Sequence, residues 1–199
     1  MSDLVTATKA AADHFRSYER ISWLLKAVSK NDMRPVLKCI HAEDARCWAT
    51  DGHRLHLVKL PGAVLGLQPG KSYSLLKRTT KEIILQLMNP DGMKGPWSPP
   101  SIDGLFPQEA ERYIFTKGGR LDCDLAALLA QFGHLIDSVD YQYFKDLDTQ
   151  SGKFNAFYPP VEAGRQMWFD GDSEMALLMS IRPRAEFRRA EMPTDEATK

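Results

Sequence analysis

Ala49-Thr50-Asp51-Gly52-His53-Arg54-Leu55 is the stretch on which the reading of this chain turns. Asp51-Gly52 is a strong hairpin dipeptide: glycine accepts a positive φ without steric cost, and aspartate bonds backbone amides inside the turn. Upstream of the turn, Arg46 to Thr50 contains Cys47 and Trp48; downstream, Arg54 to Leu60 alternates Leu55 and Leu57, with a break before Leu60. Two short strands joined by the turn are expected. Leu55 and Leu57 return to the buried face of a sheet, and His53 and Arg54 stay near the turn, within reach of a neighbouring surface.

Outward from this hairpin, Val36 to His41 alternates loosely and predicts a third strand, with Glu43-Asp44 as the intervening turn. Before it, Ile21, Leu24, Leu25 and Val28 recur at helical spacing, which predicts a helix over Tyr18–Lys30 with one apolar face. Ser17 suits its N-cap; Glu19, Ser22, Lys26 and Lys30 fall on the opposite face. Pro35 prevents continuation. After the hairpin, residues 61–70 form a connector bounded by proline and glycine, and Lys71 to Met88 reads as a second hairpin turning near Thr79-Thr80.

The second half repeats the plan. Tyr113 to Thr116 suits a strand, and Leu125, Leu128, Leu129 and Phe132 form an amphipathic stripe stopped by Gly133. Val139 to Asp148 reads as a further short helix with Tyr141, Phe144 and Leu147 inward. Lys153–Tyr158, Gln166–Phe169 and Met175–Ile181 read as three closing strands. Helix followed by a three-strand meander therefore occurs twice. The expected fold class is α+β, with two helix-plus-antiparallel-meander half-units related by pseudo-twofold symmetry. The expected division is an N-terminal arm at 1–13 (frayed or a short helix), a first half-unit with an extra hairpin at 14–88, a Pro/Gly-rich connection at 89–112, a second half-unit at 113–183 and a polar tail at 184–199.

Composition narrows the function classes. Lys plus Arg and Asp plus Glu both number 26, a neutral balance that permits a basic face but argues against strong nonspecific DNA affinity for an isolated chain. No apolar run is long enough to span a bilayer and the N-terminus lacks an apolar signal region, so a cytoplasmic protein without membrane contact is expected. Cys39, Cys47 and Cys123 make an odd count with no paired spacing, which argues against a disulfide framework. Asp51, His53 and His56, with His41 or Cys47, invite a metal reading, but positions 53 and 56 point to opposite faces of a strand. Cys39 near His41 invites a thiol nucleophile, yet a buried strand cysteine is far commoner. Phosphate-loop, nucleophile-elbow and zinc-protease motifs are missing. No catalysis, metal or cofactor is expected.

Arg34 to Gly62, RPVLKCIHAEDARCWATDGHRLHLVKLPG, resembles the bacterial DNA polymerase III beta sliding clamp family, in which a helix precedes R-P-x-L, a strand and A-T-D-G-H-R-L. Ile102-Asp103-Gly104-Leu105-Phe106-Pro107 is similar to the family's D-G-x-F-P segment, VDYQYFKDL to the helix of its last half-domain, and Leu177 to Arg182 to its terminal M-P-x-R-L strand. Ser180 and Pro183 stand in place of the expected Pro and Leu, and a family member has three domains and is nearly twice as long. The resemblance implies a DNA-clamp fold and a DNA-associated recruitment platform for replication or repair proteins. In the family, the A-T-D-G-H-R-L segment and the terminal strand line a hydrophobic pocket for short peptide tails of polymerases, loaders and repair proteins. Carried over by position, the pocket candidates are Thr50, Gly52, His53, Arg54, Leu55, Leu177 and Met179. Basic side chains on the clamp's inner helices face duplex DNA; here Arg20, Lys26, Lys30 and Arg34 are the DNA-facing candidates. The implied partners are duplex DNA held weakly or topologically, clamp-binding peptide motifs, and further copies of the chain in a homo-oligomer. The alternative is a clamp-derived interaction module or regulator that does not encircle DNA.

Overall fold

The Asp51-Gly52 turn closes by the chemistry its residues carry. Gly52 takes φ 89°. The Asp51 carboxylate accepts the amides of His53 at 2.9 Å and Arg54 at 3.0 Å. The Thr50 hydroxyl donates to the Arg54 carbonyl at 2.6 Å and accepts the Gly52 amide at 3.0 Å. The structure, a computed structural model, describes residues 3–10, 13–30, 34–88, 101–105, 121–122, 141–147, 153–157, 166–171 and 173–179.

Ten strands are found among the described residues: β1 (Leu4–Thr8), β2 (Cys39–Ala42), β3 (Cys47–Thr50), β4 (Arg54–Val58), β5 (Lys71–Arg78), β6 (Glu82–Leu87), β7 (Leu121–Asp122), β8 (Lys153–Phe157), β9 (Gln166–Asp170) and β10 (Glu174–Met179). They lie in the order β1-β6-β5-β2-β3-β4-β10-β9-β8-β7, and every neighbouring pair is antiparallel. Two helices are described, α1 (Ser17–Leu24) and α2 (Tyr141–Asp146). The architecture is α+β, with a β2-β3-β4 meander following α1 and a β8-β9-β10 meander following α2.

Alternation along β3, β4 and β10 divides the apolar side chains between two faces. Cys47, Ala49, Val58, Ala176 and Leu178 join the main core, together with Ile21, Trp23, Leu24 and Leu25 from α1 and the turn after it. Leu147, just past α2, is buried in the same core, and Tyr143 packs against it. Both helices therefore lie on one face. Trp48, Leu55, Leu57, Met175 and Leu177 point to the other, where they form a smaller cluster with Ile102.

Local differences from the sequence reading have physical causes. Residues 4–8, expected as part of an arm or short helix, form an edge strand in which Val5 and Ala7 face the main core. The first helix is shorter than Tyr18–Lys30: α1 ends at Leu24, a 3-10 turn carries Leu25–Ala27, and Val28 is already extended. The Ser29 amide donates to the Leu37 carbonyl at 2.8 Å, which draws the chain out of the helix. Ser17 is the first helical residue rather than the cap; Arg16 precedes it at φ 51°, and the Asp13 carboxylate accepts the Ser17 amide at 2.6 Å. Pro35–Lys38 form a 3-10 turn, so β2 begins only at Cys39. The 61–70 connector is packed into the fold: Leu65 and Leu67 are buried, and a Cβ on Gly62 would lie 2.9 Å from that of Ala42. The expected strand at Tyr113–Thr116, the stripe from Leu125 to Phe132, and the tail from Arg184 lie outside the described residues.

Two histidines are built in uncharged. The His56 ring stacks on Trp23 at 4.2 Å, and its Nδ1 lies 2.9 Å from the Trp23 carbonyl, which can only accept. His41 Nε2 meets the Val36 carbonyl at 2.9 Å and Nδ1 the Ser72 hydroxyl at 2.8 Å. Burial lowers His41 to about 4 and His56 to about 3; the carbonyl contacts oppose this, and the nearby Arg54 and Lys26 charges depress His56 further. Because both folded values lie below the unfolded one, the unfolded chain binds more protons in acid. The stabilisation is complete above about pH 6.5 and declines as pH falls toward the folded values, by roughly 1.4 kcal/mol per histidine per pH unit. Urea unfolding midpoints measured from about pH 7 to pH 5 should fall, and His56→Leu should make that fall shallower by about half.

Candidate functional site

The β3-β4-β10 ladder sets side chains in rows across the second face. Thr50 pairs with Leu55 and Leu55 with Leu177, which makes one row. His41, Trp48, Leu57 and Met175 make the row behind it. Met179, two residues beyond Leu177 on the same strand face, donates its amide to the His53 carbonyl at 2.8 Å. Two stretches more than a hundred residues apart therefore meet within one chain, and the pocket candidates share one end of the sheet.

Their environments differ. Leu55 and Leu177 are each 2% exposed, whereas Met179 is 36% exposed. Gly52 and His53 are exposed at the turn, and Thr50 is half-buried with its hydroxyl engaged in the turn itself. Leu55 and Leu177 are thus closed to solvent, Met179 beside them is open, and the turn is exposed.

Arg54 is a tie between elements. Its Nε meets the Asp51 carboxylate at 3.0 Å, its Nη1 meets Asp146 of α2, and its guanidinium lies 4.5 Å over the Tyr143 ring. With its side chain only 11% exposed, Arg54 braces the β3–β4 turn from behind.

The DNA-facing candidates do not form one stripe. Arg20 is held by Glu174 at 3.2 Å, the Phe15 carbonyl at 2.7 Å and the Ser173 hydroxyl at 3.0 Å. Lys26 sits in the turn after α1 and donates to the Asp146 carbonyl at 3.3 Å. Lys30 is exposed but lies beyond the helix, so the i, i+4 relation with Lys26 is lost. Arg34 is exposed, with its guanidinium beside the β3–β4 turn, where a Cβ on Gly52 would lie 3.5 Å from its Nη2.

Neither described thiol is prepared for catalysis. Burial pushes both Cys39 and Cys47 up to about 12. Among the described residues no three His, Cys, Asp or Glu side chains gather as a metal site, and no helix is long and apolar enough to cross a membrane.

Sequence reasoning missed several residues of the second face. Trp48 and Met175 belong to the same apolar cluster as Leu55 and Leu177, as does Ile102, and Leu105 packs against it. Alternation in β3 and β10 could have revealed the first two. Ile102 and Leu105 sit in a segment without periodicity; the resemblance singled that segment out without assigning it to the pocket, and their packing against the second face is visible only in the tertiary structure.

A long antiparallel sheet with both helices on one face, built from two helix-plus-meander passages, is the DNA-clamp architecture, and the chain has the sliding-clamp fold. Among solved structures it is similar to the Helicobacter pylori beta clamp in complex with 3,4-difluorobenzamide, at TM-score 0.50 and 10% identity over 92% of this chain and 68% of that one. The same clamp bound to a DNA ligase peptide matches at TM-score 0.49 and 10% identity, over 92% of this chain and 67% of that one. The Bacillus subtilis DNA polymerase sliding clamp matches at TM-score 0.42 and 16% identity, over 90% and 64%. The chain thus spans about two thirds of the length of these clamps. No protein-family model and no curated protein matches it.

The tie made by Arg54 yields a stability prediction. Arg54→Met keeps the aliphatic stem but leaves Asp51 and Asp146 without their shared cation. Removing one partner of a buried ion pair costs about 3–5 kcal/mol, and partial exposure of Asp51 and Asp146 places this case toward the lower end, so the urea midpoint should drop accordingly, while Lys30→Met should leave it nearly unchanged.

Proposed function

We propose that this chain is a non-catalytic recruitment platform of the sliding-clamp fold, which docks a short extended peptide from a replication or repair protein beside the β3–β4 turn. The observation that carries this reading is the row Thr50–Leu55–Leu177 with Met179 at its open end. An extended peptide binds such a place by burying one or two apolar anchors against a rigid floor, while the rim fixes its direction. Gly52 and His53 at the exposed turn, positioned by Arg54, are the rim in this reading.

The peptide site has a direct test. Met179→Glu puts a charge where an apolar anchor would be desolvated, and because Met179 is 36% exposed the fold should persist. Losing one buried anchor, roughly 1.5–3 kcal/mol, weakens binding by tenfold or more. Fluorescence anisotropy with a labelled clamp-binding peptide, such as the DNA ligase peptide, should show that loss with an unchanged circular dichroism spectrum. A wild-type chain that binds no such peptide at millimolar concentration would remove the recruitment reading.

A second reading, an interaction module that does not encircle DNA, is favoured by the engagement of Arg20 and Lys26 with internal partners and by the zero net charge. The two readings separate in a duplex-binding titration at low salt. If the helix side contacts phosphates, Lys26→Glu with Lys30→Glu lowers the slope of log K against log salt by about 0.9 for each lost contact; a module shows no change. Encirclement would further require copies of the chain to assemble into a ring, which sedimentation at working concentration would detect.

A further inference from the structure

Ile102 is only 2% exposed although it belongs to no strand or helix. It enters the apolar floor formed by Trp48, Leu55, Leu57, Met175 and Leu177, and Leu105 packs beside it. Between them a single 3-10 turn, Asp103–Leu105, presents its outer side to solvent: the Asp103 side chain is 72% exposed, and a Cβ on Gly104 would meet nothing within 4 Å. The turn's backbone hydrogen bond, from the Leu105 amide to the Ile102 carbonyl at 3.0 Å, is internal to it. Among the described residues, a polar tether to the sheet is an ion pair at the surface, Asp103 to Arg46 Nη2 at 2.6 Å.

We infer that residues 102–105 are a displaceable strap that occupies the peptide floor from within the chain, so that the docking surface is self-capped and a partner must compete with it. This inference rests on the recruitment reading above. Three features carry it. The strap offers two apolar side chains three residues apart, the same chemistry by which an extended peptide would grip this floor. Its cluster is separate from the main core, so lifting it leaves the helix side of the sheet packed. The floor also keeps its shape when the strap leaves. Arg46 uses Nε for Glu43, at 2.6 Å, and Nη2 for Asp103, while the other Glu43 oxygen accepts the Trp48 indole N–H at 2.7 Å. Releasing Asp103 therefore leaves Trp48 and Arg46 anchored to Glu43. Because the tether is a solvent-facing ion pair, salt weakens it, and added salt should strengthen peptide binding rather than oppose it.

Thiol labelling of the whole 199-residue chain, mapped by mass spectrometry, tests this. Cys39 and Cys47, both fully buried, act as internal references that react only when the whole sheet opens. In Ile102→Cys, position 102 should label at least about a hundredfold faster than these references, as local opening does, and adding Asp103→Asn should speed it further without changing them. In Met175→Cys the introduced thiol lies on the floor. Saturating DNA ligase peptide should accelerate labelling at position 102 and slow it at position 175, because it lifts the one and covers the other. Asp103→Asn in the otherwise native chain should bind the peptide several-fold more tightly, since a larger fraction is competent. Labelling at position 102 in step with Cys39 and Cys47 would make the strap a fixed part of the core and overturn the inference. Peptide that binds by anisotropy yet changes neither labelling rate docks elsewhere, which also overturns it. Fast labelling at position 102 with no peptide binding, even to the Asp103→Asn chain, would instead sink the recruitment reading itself.

Discussion

The antiparallel ladder between β4 and β10 holds the structure together. Strands from residues 4–87 lie on one side of it and strands from residues 121–179 on the other. Its five paired positions, Glu174 with Val58 through Leu178 with Arg54, are lengthened at one end by the Lys59 amide on the Ser173 carbonyl and at the other by the Met179 amide on the His53 carbonyl. Side chains brace the same seam: Arg20 to Glu174, Lys59 to Asp170, and Arg54 to Asp146. A one-residue slip here would send Leu177 to the helix side and Leu178 to the other, so the two apolar faces specify the register together.

The candidate site exists because of that register. Leu55 and Leu177 are direct partners, and the turn that begins β4 stands beside the residue that ends β10. The site is thus assembled from sequence-distant strands but rests on one continuous hydrogen-bonded floor, which suits precise positioning better than a surface made of loops. Arg54 adds the third dimension by fastening the same turn to α2.

Much of this was legible in the sequence where periodicity and turn chemistry agree. Asp51-Gly52 announced its hairpin, the Leu55/Leu57 alternation its face, and the Met175–Ile181 pattern the closing strand, found at Glu174–Met179. The Lys71–Met88 hairpin appears as β5 and β6. Legibility ended where tertiary contacts outweigh local preference. The helical pattern ran on to Val28 and Lys30, yet a backbone bond from Ser29 to Leu37 ends the helix sooner. Leu4 to Thr8 holds the strand-favouring Val5, Thr6 and Thr8, but beside the polar and alanine-rich residues that follow it reads as an arm; pairing with β6 makes it a strand. Arg20 and Lys26 read as a solvated basic face because their acceptors, Glu174 and the Asp146 carbonyl, lie more than a hundred residues away.

The long reach of the β4–β10 seam also constrains the order in which the chain is made. During synthesis β4 is complete long before β10 emerges, and at ribosomal speed the interval is on the order of ten seconds. For that time one margin of β4 presents unpaired amides and carbonyls, with Leu55 and Leu57 uncovered beside them, an invitation to pairing with another nascent chain. Arg54 at the start of this margin and Lys59 just beyond its end place a cation at each extremity. Arg54 already has Asp51 in its own turn, but Lys59, whose partner Asp170 is made more than a hundred residues later, is on the half-made protein a positive charge at the end of this edge, which discourages pairing with a second copy.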